Sequence, residues 1–356
     1  MHCTICLVLL LTTVTSNVLT LEPVIDYSKL DNMLDNFCRE LKSFAYNTFN
    51  ISRLSETQHS HNTSERAYDI VLRLNATLFL KLLKKANLDS ILRNPYSKFT
   101  IFAPTNESLE KLPDKIKRNS TLMNSILRFH LVSDYRMTSS FLNNNFIKTI
   151  AKYGVHPKRR SLYIRTNIYN RLVSKIITAS GSKILNKDNT NGLSVVHLID
   201  GLMFPLPMEN AYGEILRQPK FSILRRLVLK SYLLVRVLSE TKQNLTIFAP
   251  TNEAFYNLPA GTLEKLENNV PLLTQILIKT FISNIYYEAG FMDGMNLIGI
   301  AQNIIHLTFH QHDFIISDGE TEAKVSGTDF SVLNGVIHSI NNILFKQDNI
   351  GEKIIG

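Results

Sequence analysis

Phe99-Thr100-Ile101-Phe102-Ala103-Pro104-Thr105-Asn106-Glu107 returns as Leu245-Thr246-Ile247-Phe248-Ala249-Pro250-Thr251-Asn252-Glu253, with eight of nine residues identical and an offset of 146. Chance does not produce such a match, so the chain reads first of all as a repeat. Within the stretch, the β-branched and aromatic run Phe99 to Ala103 predicts a buried strand. Pro104 has no N–H to give to a continuing ladder and ends it. Thr105 and Asn106 are helix N-cap types, Glu107 suits the positive end of a helix dipole, and Leu109 and Leu112 follow at helical spacing. The stretch is a strand-to-helix hinge, present twice.

Further along, Val195-Val196-His197-Leu198-Ile199 has its counterpart in Val336-Ile337-His338-Ser339-Ile340, at an offset of 141. Each is an apolar run holding one histidine, the pattern of a strand buried on both faces. Two markers at nearly one offset define two units of about 140 residues, the size of an ordinary domain. With 356 residues, 44% of them hydrophobic, the chain can bury two cores. Ile5 to Leu11 is a charge-free apolar run too short to span a bilayer, and Phe221 to Leu238 is broken by Arg225, Arg226, Lys230 and Arg236. No membrane span is therefore predicted.

A Phe-Ala-Pro-Thr-Asn segment after a strand, followed by a Val-Ile-His type strand near the end of the unit, resembles the two signature segments of the fasciclin I (FAS1) domain family, over roughly residues 66 to 346. The residues that carry the resemblance are Phe102, Pro104, Thr105, Asn106 and His197, then Phe248, Pro250, Thr251, Asn252 and His338. The first unit has Phe129-His130 where FAS1 domains usually carry a Tyr-His pair, and in the second Thr280-Phe281 is aligned there. The family's Asn-Gly turn stands at Asn334-Gly335; in the first unit Asn191-Gly192 lies two residues early, which implies a shifted turn or a bulge. The resemblance implies an α+β fold, two tandem FAS1-like domains, each a β-wedge of two sheets with packed helices. It also implies a cell-adhesion or extracellular-matrix protein whose partners are cell-surface receptors or matrix proteins.

Residues 1–16 have the shape of a secretory signal, with Val14 and Ser16 suiting cleavage before Asn17. Its removal takes Cys3 and Cys6 and leaves Cys38, so the mature chain has no intrachain disulfide. A lone thiol in a secreted chain is either buried or paired with another chain. Residues 17–65 form a leader in which Leu30, Met33, Leu34, Phe37, Leu41 and Phe44 keep amphipathic-helix spacing, ending in the polar linker Gln58 to Ser64. The first domain is placed at 66–207, the second at 208–346, and a tail at 347–356, with Pro205, Pro207, Gly213 and Pro219 interrupting the pattern at the boundary. Sequons at Asn50, Asn62, Asn75, Asn106, Asn119 and Asn244 agree with a secretory route. The C-terminal residues carry neither a GPI tail nor a retention signal, so the extracellular space or matrix is the expected location.

His197 and His338 recur at one place, but a histidine alone in a two-sided buried strand reads as a hydrogen-bonded core residue, and no second acid, base or nucleophile is read as recurring with it. His306, His310 and His312 share strand parity; at roughly 3.3 Å per residue His306 is about 13 Å from His310, so they read as a solvated face and not a metal site. A Gly-x-Ser-x-Gly elbow, a His-Glu-x-x-His motif, a phosphate loop and a dinucleotide fingerprint are all missing from the sequence. Neither an enzymatic activity nor a cofactor is expected.

Charge is unevenly spread. Residues 65–207 hold 23 Lys+Arg against 9 Asp+Glu, a net charge of +14, whereas residues 208–356 hold 12 against 15. Lys158, Arg159, Arg160, Arg165, Arg171 and Lys175 supply much of the excess and are the candidate polyanion-binding residues. Sulfated glycosaminoglycans are the abundant polyanions outside cells, and arginine's planar fork suits sulfate oxygens. A plainly solvated basic face is the competing reading. Nucleic acid is not an expected partner, since no nucleic-acid fold signature accompanies the charge. A soluble carrier or signalling antagonist with an apolar cleft is the alternative function.

Overall fold

The computed structural model describes residues 65–154, 159–171 and 174–345. The readings of the signal segment, the leader with Cys38, Asn50, Asn62, Lys158 and the 347–356 tail lie outside these residues.

The first repeat begins with three helices, α1 (Ala67–Arg73), α2 (Thr77–Lys85) and α3 (Asp89–Arg93). The hinge stretch follows as strand β1 (Thr100–Pro104) running into helix α4 (Asn106–Glu110). After it come α5 (Asp114–Arg118), α6 (Ser120–Phe129), β2 (Leu131–Val132), a 3-10 turn at Thr138–Ser140, and strands β3 (Asn145–Tyr153), β4 (Arg160–Asn170), β5 (Lys175–Ala179), β6 (Ser182–Thr190) and β7 (Val195–Ile199). The second repeat copies this order: α7 (Ala211–Arg217), α8 (Ser222–Val228), α9 (Tyr232–Ser239), β8 (Leu245–Pro250), α10 (Asn252–Tyr256), α11 (Thr262–Asn268), α12 (Val270–Ile278) and β9 (Phe281–Ser283). A 3-10 turn at Glu288–Gly290 leads to β10 (Met295–Ile298), β11 (Ile304–His310), β12 (Asp313–Ser317), β13 (Glu322–Val332) and β14 (Gly335–Ile340).

Strand order is β2-β1-β7-β6-β5-β4-β3 in the first repeat and β9-β8-β14-β13-β12-β11-β10 in the second, so the two topologies are the same. The sequence markers are neighbours in space: β1 pairs with β7 in parallel, placing Phe102 opposite His197, and β8 pairs with β14, placing Phe248 opposite His338. Both hinge strands are buried throughout, as their composition predicted. Their side chains alternate between two cores. Ile101 and Ala103 join Phe79, Leu83 and Leu127 under the helices, while Phe102 faces Ile147, Leu162 and Ile164 from the far half of its own sheet. The ladder is thus one seven-stranded sheet bent so that its two halves face each other, which gives the wedge. Register shifts in β6 and β13 mark the bend.

The Asn-Gly departure resolves as a shifted turn. In the second repeat, a Cβ on Gly335 would meet the Leu245 carbonyl oxygen, so only glycine fits. In the first, Ser194 holds that place and the β1–β7 register is unbroken, because the Asn191 carboxamide accepts from the N–H groups of Leu193 and Ser194 and Gly192 turns the chain at φ 89°.

Candidate functional site

The two recurring histidines have both ring nitrogens occupied. His197 Nε2 meets the Arg136 carbonyl at 2.9 Å and His338 Nε2 meets that of Tyr286 at 2.8 Å, so Nε2 carries the proton. Nδ1 then accepts, from the backbone N–H of Asp188 and of Asp329. The rings lie 5.3 Å and 5.4 Å from those of Phe102 and Phe248, and Phe141 and Phe291 complete the cluster on the other side. Burial holds both histidines below their ordinary range, His338 down to about 4. An acid does recur with each histidine, nine residues upstream; the sequence reading missed it because its partner atom is the backbone N–H and not the carboxylate. His130 is likewise fully buried, with Nδ1 on the Ile126 carbonyl and Nε2 accepting from Met203 N–H. The bond from Phe102 N–H to the His130 carbonyl matches that from Phe248 N–H to Thr280, so Lys279-Thr280 stands opposite Phe129-His130, one residue earlier than the sequence alignment had it. These histidines hold the sheet and leave no nitrogen for a substrate. Of the histidines of the second sheet, His306 lies in β11 against the Asn296 carboxamide, but His312 sits in the β11–β12 turn and not on the strand face.

The hinge residues differ in role from the prediction. Thr105 caps α4 through Ser108 N–H, whereas Thr251 makes no cap bond. The asparagine beside each threonine caps a different helix: Asn106 accepts from Leu78 N–H at the start of α2, and Asn252 from Ile223 N–H at the start of α8. Asn106 also donates to Thr77, so both ends of its carboxamide are used inside the fold. Asn75, Asn119 and Asn244 are exposed.

Arg165 leaves the proposed exposed patch. It is 3% exposed and lies between the repeats, with Nη1 donating to Asn244 Oδ1 at 2.7 Å, Nη2 donating to the Leu333 carbonyl at 3.1 Å, and its guanidinium 4.3 Å from the Phe146 ring. Burial draws its pKa down. Arg171 leaves the patch for the same reason: its Nη2 donates to the carbonyls of Ala289 and Phe291 in the second repeat, each at 3.1 Å. Between these two arginines, Tyr169 Oη accepts from Tyr287 N–H at 3.0 Å. Charge alone gives no signal of burial for either arginine; for Arg165 alternation along β4 is the cue, since Leu162, Ile164 and Thr166 face one core and Arg165 the opposite face, whereas Arg171 lies just past the strand.

Arg159, Arg160 and Lys175 remain exposed. Arg159 lies on the rim of a groove of about 1210 Å³ in the first repeat, between α6, the end of α2 and the β3–β4 hairpin. Lys85, Lys117, Arg128 and Lys152 line the same groove, and among the described residues no acidic side chain does. Among the described residues none of these five cations forms an ion pair: Arg128 donates to the Asn124 carboxamide and Lys117 to the Glu110 backbone carbonyl. Spacing in sequence could not reveal this group, since its members lie on α2, α5, α6, β3 and the residue just before β4.

A family profile described as "Fasciclin domain" matches residues 74–205 and 219–346. Transforming growth factor-beta-induced protein ig-h3 of Sus scrofa is 29% identical over 255 residues, covering 69% of this chain and 34% of the relative. Periostin of Homo sapiens is 28% identical over 256 residues, covering 69% and 28%. The chain therefore spans about a third of the length of these relatives. A FAS1 domain pair from the insect cell adhesion molecule fasciclin I aligns in structure at 18% identity and a TM-score of 0.39, over 78% of this chain and 98% of that one. With the profile covering both repeats and each repeat carrying the hinge beside its histidine strand, the chain belongs to the fasciclin-domain family.

Proposed function

We propose that this protein is a secreted, non-enzymatic adhesion or extracellular-matrix component that binds receptors or matrix partners through the surfaces of its two fasciclin domains, and acidic polysaccharides through the first. The observation that carries the reading is the asymmetry between two domains of one topology: net +14 over residues 65–207, against 12 basic and 15 acidic residues over 208–356. Such an excess projects a positive potential roughly a Debye length, about 8 Å at physiological ionic strength, which gathers sulfated chains. Among the described residues no helix is long and apolar enough to cross a membrane. The carrier alternative draws no support from the groove, whose five cations suit an anionic occupant. The test is staining of tagged protein on cells and deposited matrix, with and without enzymatic removal of glycosaminoglycans. Staining that falls after the enzymes supports the reading; unchanged staining returns the basic face to mere solvation.

A further inference from the structure

We propose that the groove between α6, the end of α2 and the β3–β4 hairpin is the site that takes a sulfated polysaccharide chain, held by Lys85, Lys117, Arg128, Lys152 and Arg159. The inference rests on the reading of the first repeat as polyanion-binding and gives it a place. The second repeat supplies the contrast. Asn106 and Asn252 cap α2 and α8 at Leu78 and Ile223, so Lys85 and Lys230, each seven residues further on, are equivalent. Asn119 and Asn269 cap α6 and α12 at Leu122 and Leu272, so Lys117 and Glu267, each two residues earlier, are equivalent. In the second repeat, Glu267 of α11 staples that helix to α8 by pairing with Arg226, and it also pairs at 3.6 Å with Lys230, just past the end of α8. In the first, a lysine replaces that glutamate, the staple is gone, and two like charges line a groove that also receives Arg128, Lys152 and Arg159. Like charges brought together without a counter-charge favour a bound anion. The same walls carry the carboxamide of Asn87 and the hydroxyl of Ser120 for sugar oxygens, beside apolar Leu82 and Ile150. Tyr153 is the one aromatic among the described lining residues, whereas single-stranded nucleic acid is held by a platform of several stacking rings.

The Asn119 sequon stands on the groove wall, and a glycan there competes for the space; Thr121→Ala removes the sequon and keeps the cap that Asn119 makes. The test is heparin dodecasaccharide binding by full-length, secreted Thr121→Ala protein across a salt series, followed by two variants in that background. Lys117→Glu rebuilds the charge arrangement of the second repeat, and Lys152→Ala with Arg159→Ala removes two exposed cations. Each variant should weaken binding about tenfold or more and flatten the salt dependence by about one unit of slope per cation lost, with an unchanged melting midpoint. Arg160→Ala with Lys175→Ala, outside the groove, should bind as the parent does. Parent binding that neither groove variant weakens overturns the groove and leaves the polyanion reading standing. A parent that does not bind heparin at low salt overturns both. Polyglutamate or anionic vesicles held more tightly than heparin by the same residues overturn the polysaccharide as occupant.

Discussion

The backbone N–H of Asp329 donates to Nδ1 of His338 at 3.2 Å, and Asp188 stands in the same relation to His197 at 3.1 Å. Each aspartate occupies the left-handed region, at φ 59° and 62°, where its strand is bulged. That turn aims the carboxylate elsewhere: Asp188 Oδ1 accepts from Thr138 N–H and Asp329 Oδ1 from Glu288 N–H, both at 2.7 Å, at the first residue of the 3-10 turn. One residue thus fixes the histidine tautomer with its backbone and caps a turn with its side chain. The arrangement is built for rigidity, since a histidine with both nitrogens committed to backbone groups cannot pass a proton on.

Acid should therefore loosen the sheet before it titrates the surface carboxylates. Burial holds His130 and His338 at about 4 against the ordinary 6.5, and lowers His197 in the same direction. Between pH 6.5 and 4 the unfolded chain binds protons that folded His130 and His338 refuse, so stability falls as pH falls through that window, by up to about 1.4 kcal/mol per pH unit for each of the two, and His197 adds in the same direction. Among the described residues the first repeat has two such histidines and the second has one. Once the pH dependence of intrinsic amide exchange is divided out, protection in β1 should fall before that in β8 as pH drops from 6.5 to 4.5. Equal rates in the two strands would refute the assignment.

Asp329 acts in the opposite direction. Burial pushes its carboxyl up to about 7, and the neighbouring charges of Glu288 and Asp200 push the same way. Between about 4 and 7 the folded chain keeps a proton that the unfolded chain has lost, so this residue lowers stability as pH rises and adds no further change above 7. Asp329→Asn keeps an oxygen to accept from Glu288 N–H and cannot ionise. Its stability relative to the parent should rise by about 1 kcal/mol per pH unit at most between pH 5 and 7, then level off. Parallel urea midpoints for the two proteins across that range would sink the idea.

The fold was legible because Phe99 to Glu107 and Val195 to Ile199 state their burial, breaks and caps locally, and because both recur. What escaped was non-local. Asn252 was readable as a cap type, yet it caps a helix that begins thirty residues earlier, at Ser222. Arg165 and Arg171 were readable as cations, yet their partners are carbonyls and an amide of the other repeat. Asp188 and Asp329 fall outside both sequence markers, and their role depends on a left-handed backbone that no residue type announces. The groove cations are scattered between positions 85 and 159, so only the folded chain gathers them.

The hinge pair in the second repeat should divide unequally on substitution. Asn252 accepts from Ile223 N–H at 3.0 Å and donates to the Pro219 carbonyl at 3.0 Å, so it joins two segments. Thr251 has a buried hydroxyl with no hydrogen-bond partner among the described residues. Asn252→Ala should cost about 1–2 kcal/mol and Thr251→Ala no more than about 0.5 kcal/mol. Urea unfolding of the two single variants measures this, and equal losses would return the cap to Thr251.

The junction between the repeats rests on two glycines facing two tyrosines. A Cβ on Gly290 would lie 2.6 Å from Cε1 of Tyr169, and one on Gly181 would lie 2.8 Å from Cδ1 of Tyr287, so each repeat seats the other's ring on bare backbone. The Tyr169 ring cannot swing aside freely, because its hydroxyl accepts from Tyr287 N–H and donates to the Ile285 carbonyl. Gly290 has no positive φ, so alanine is acceptable to its own backbone and the penalty of Gly290→Ala is the clash alone. Overpacking of this kind costs about 1–3 kcal/mol. If the clash is with Tyr169, the same substitution made beside Tyr169→Ala should cost nearly nothing, and a double-mutant cycle on the full chain should return a coupling of that size. Calorimetry adds a second sign: the single variant should separate the melting of the two repeats, because the contact it disturbs joins them. A cycle with no coupling would mean that alanine is tolerated at Gly290 and that the seating of Tyr169 on bare backbone does not hold the repeats together.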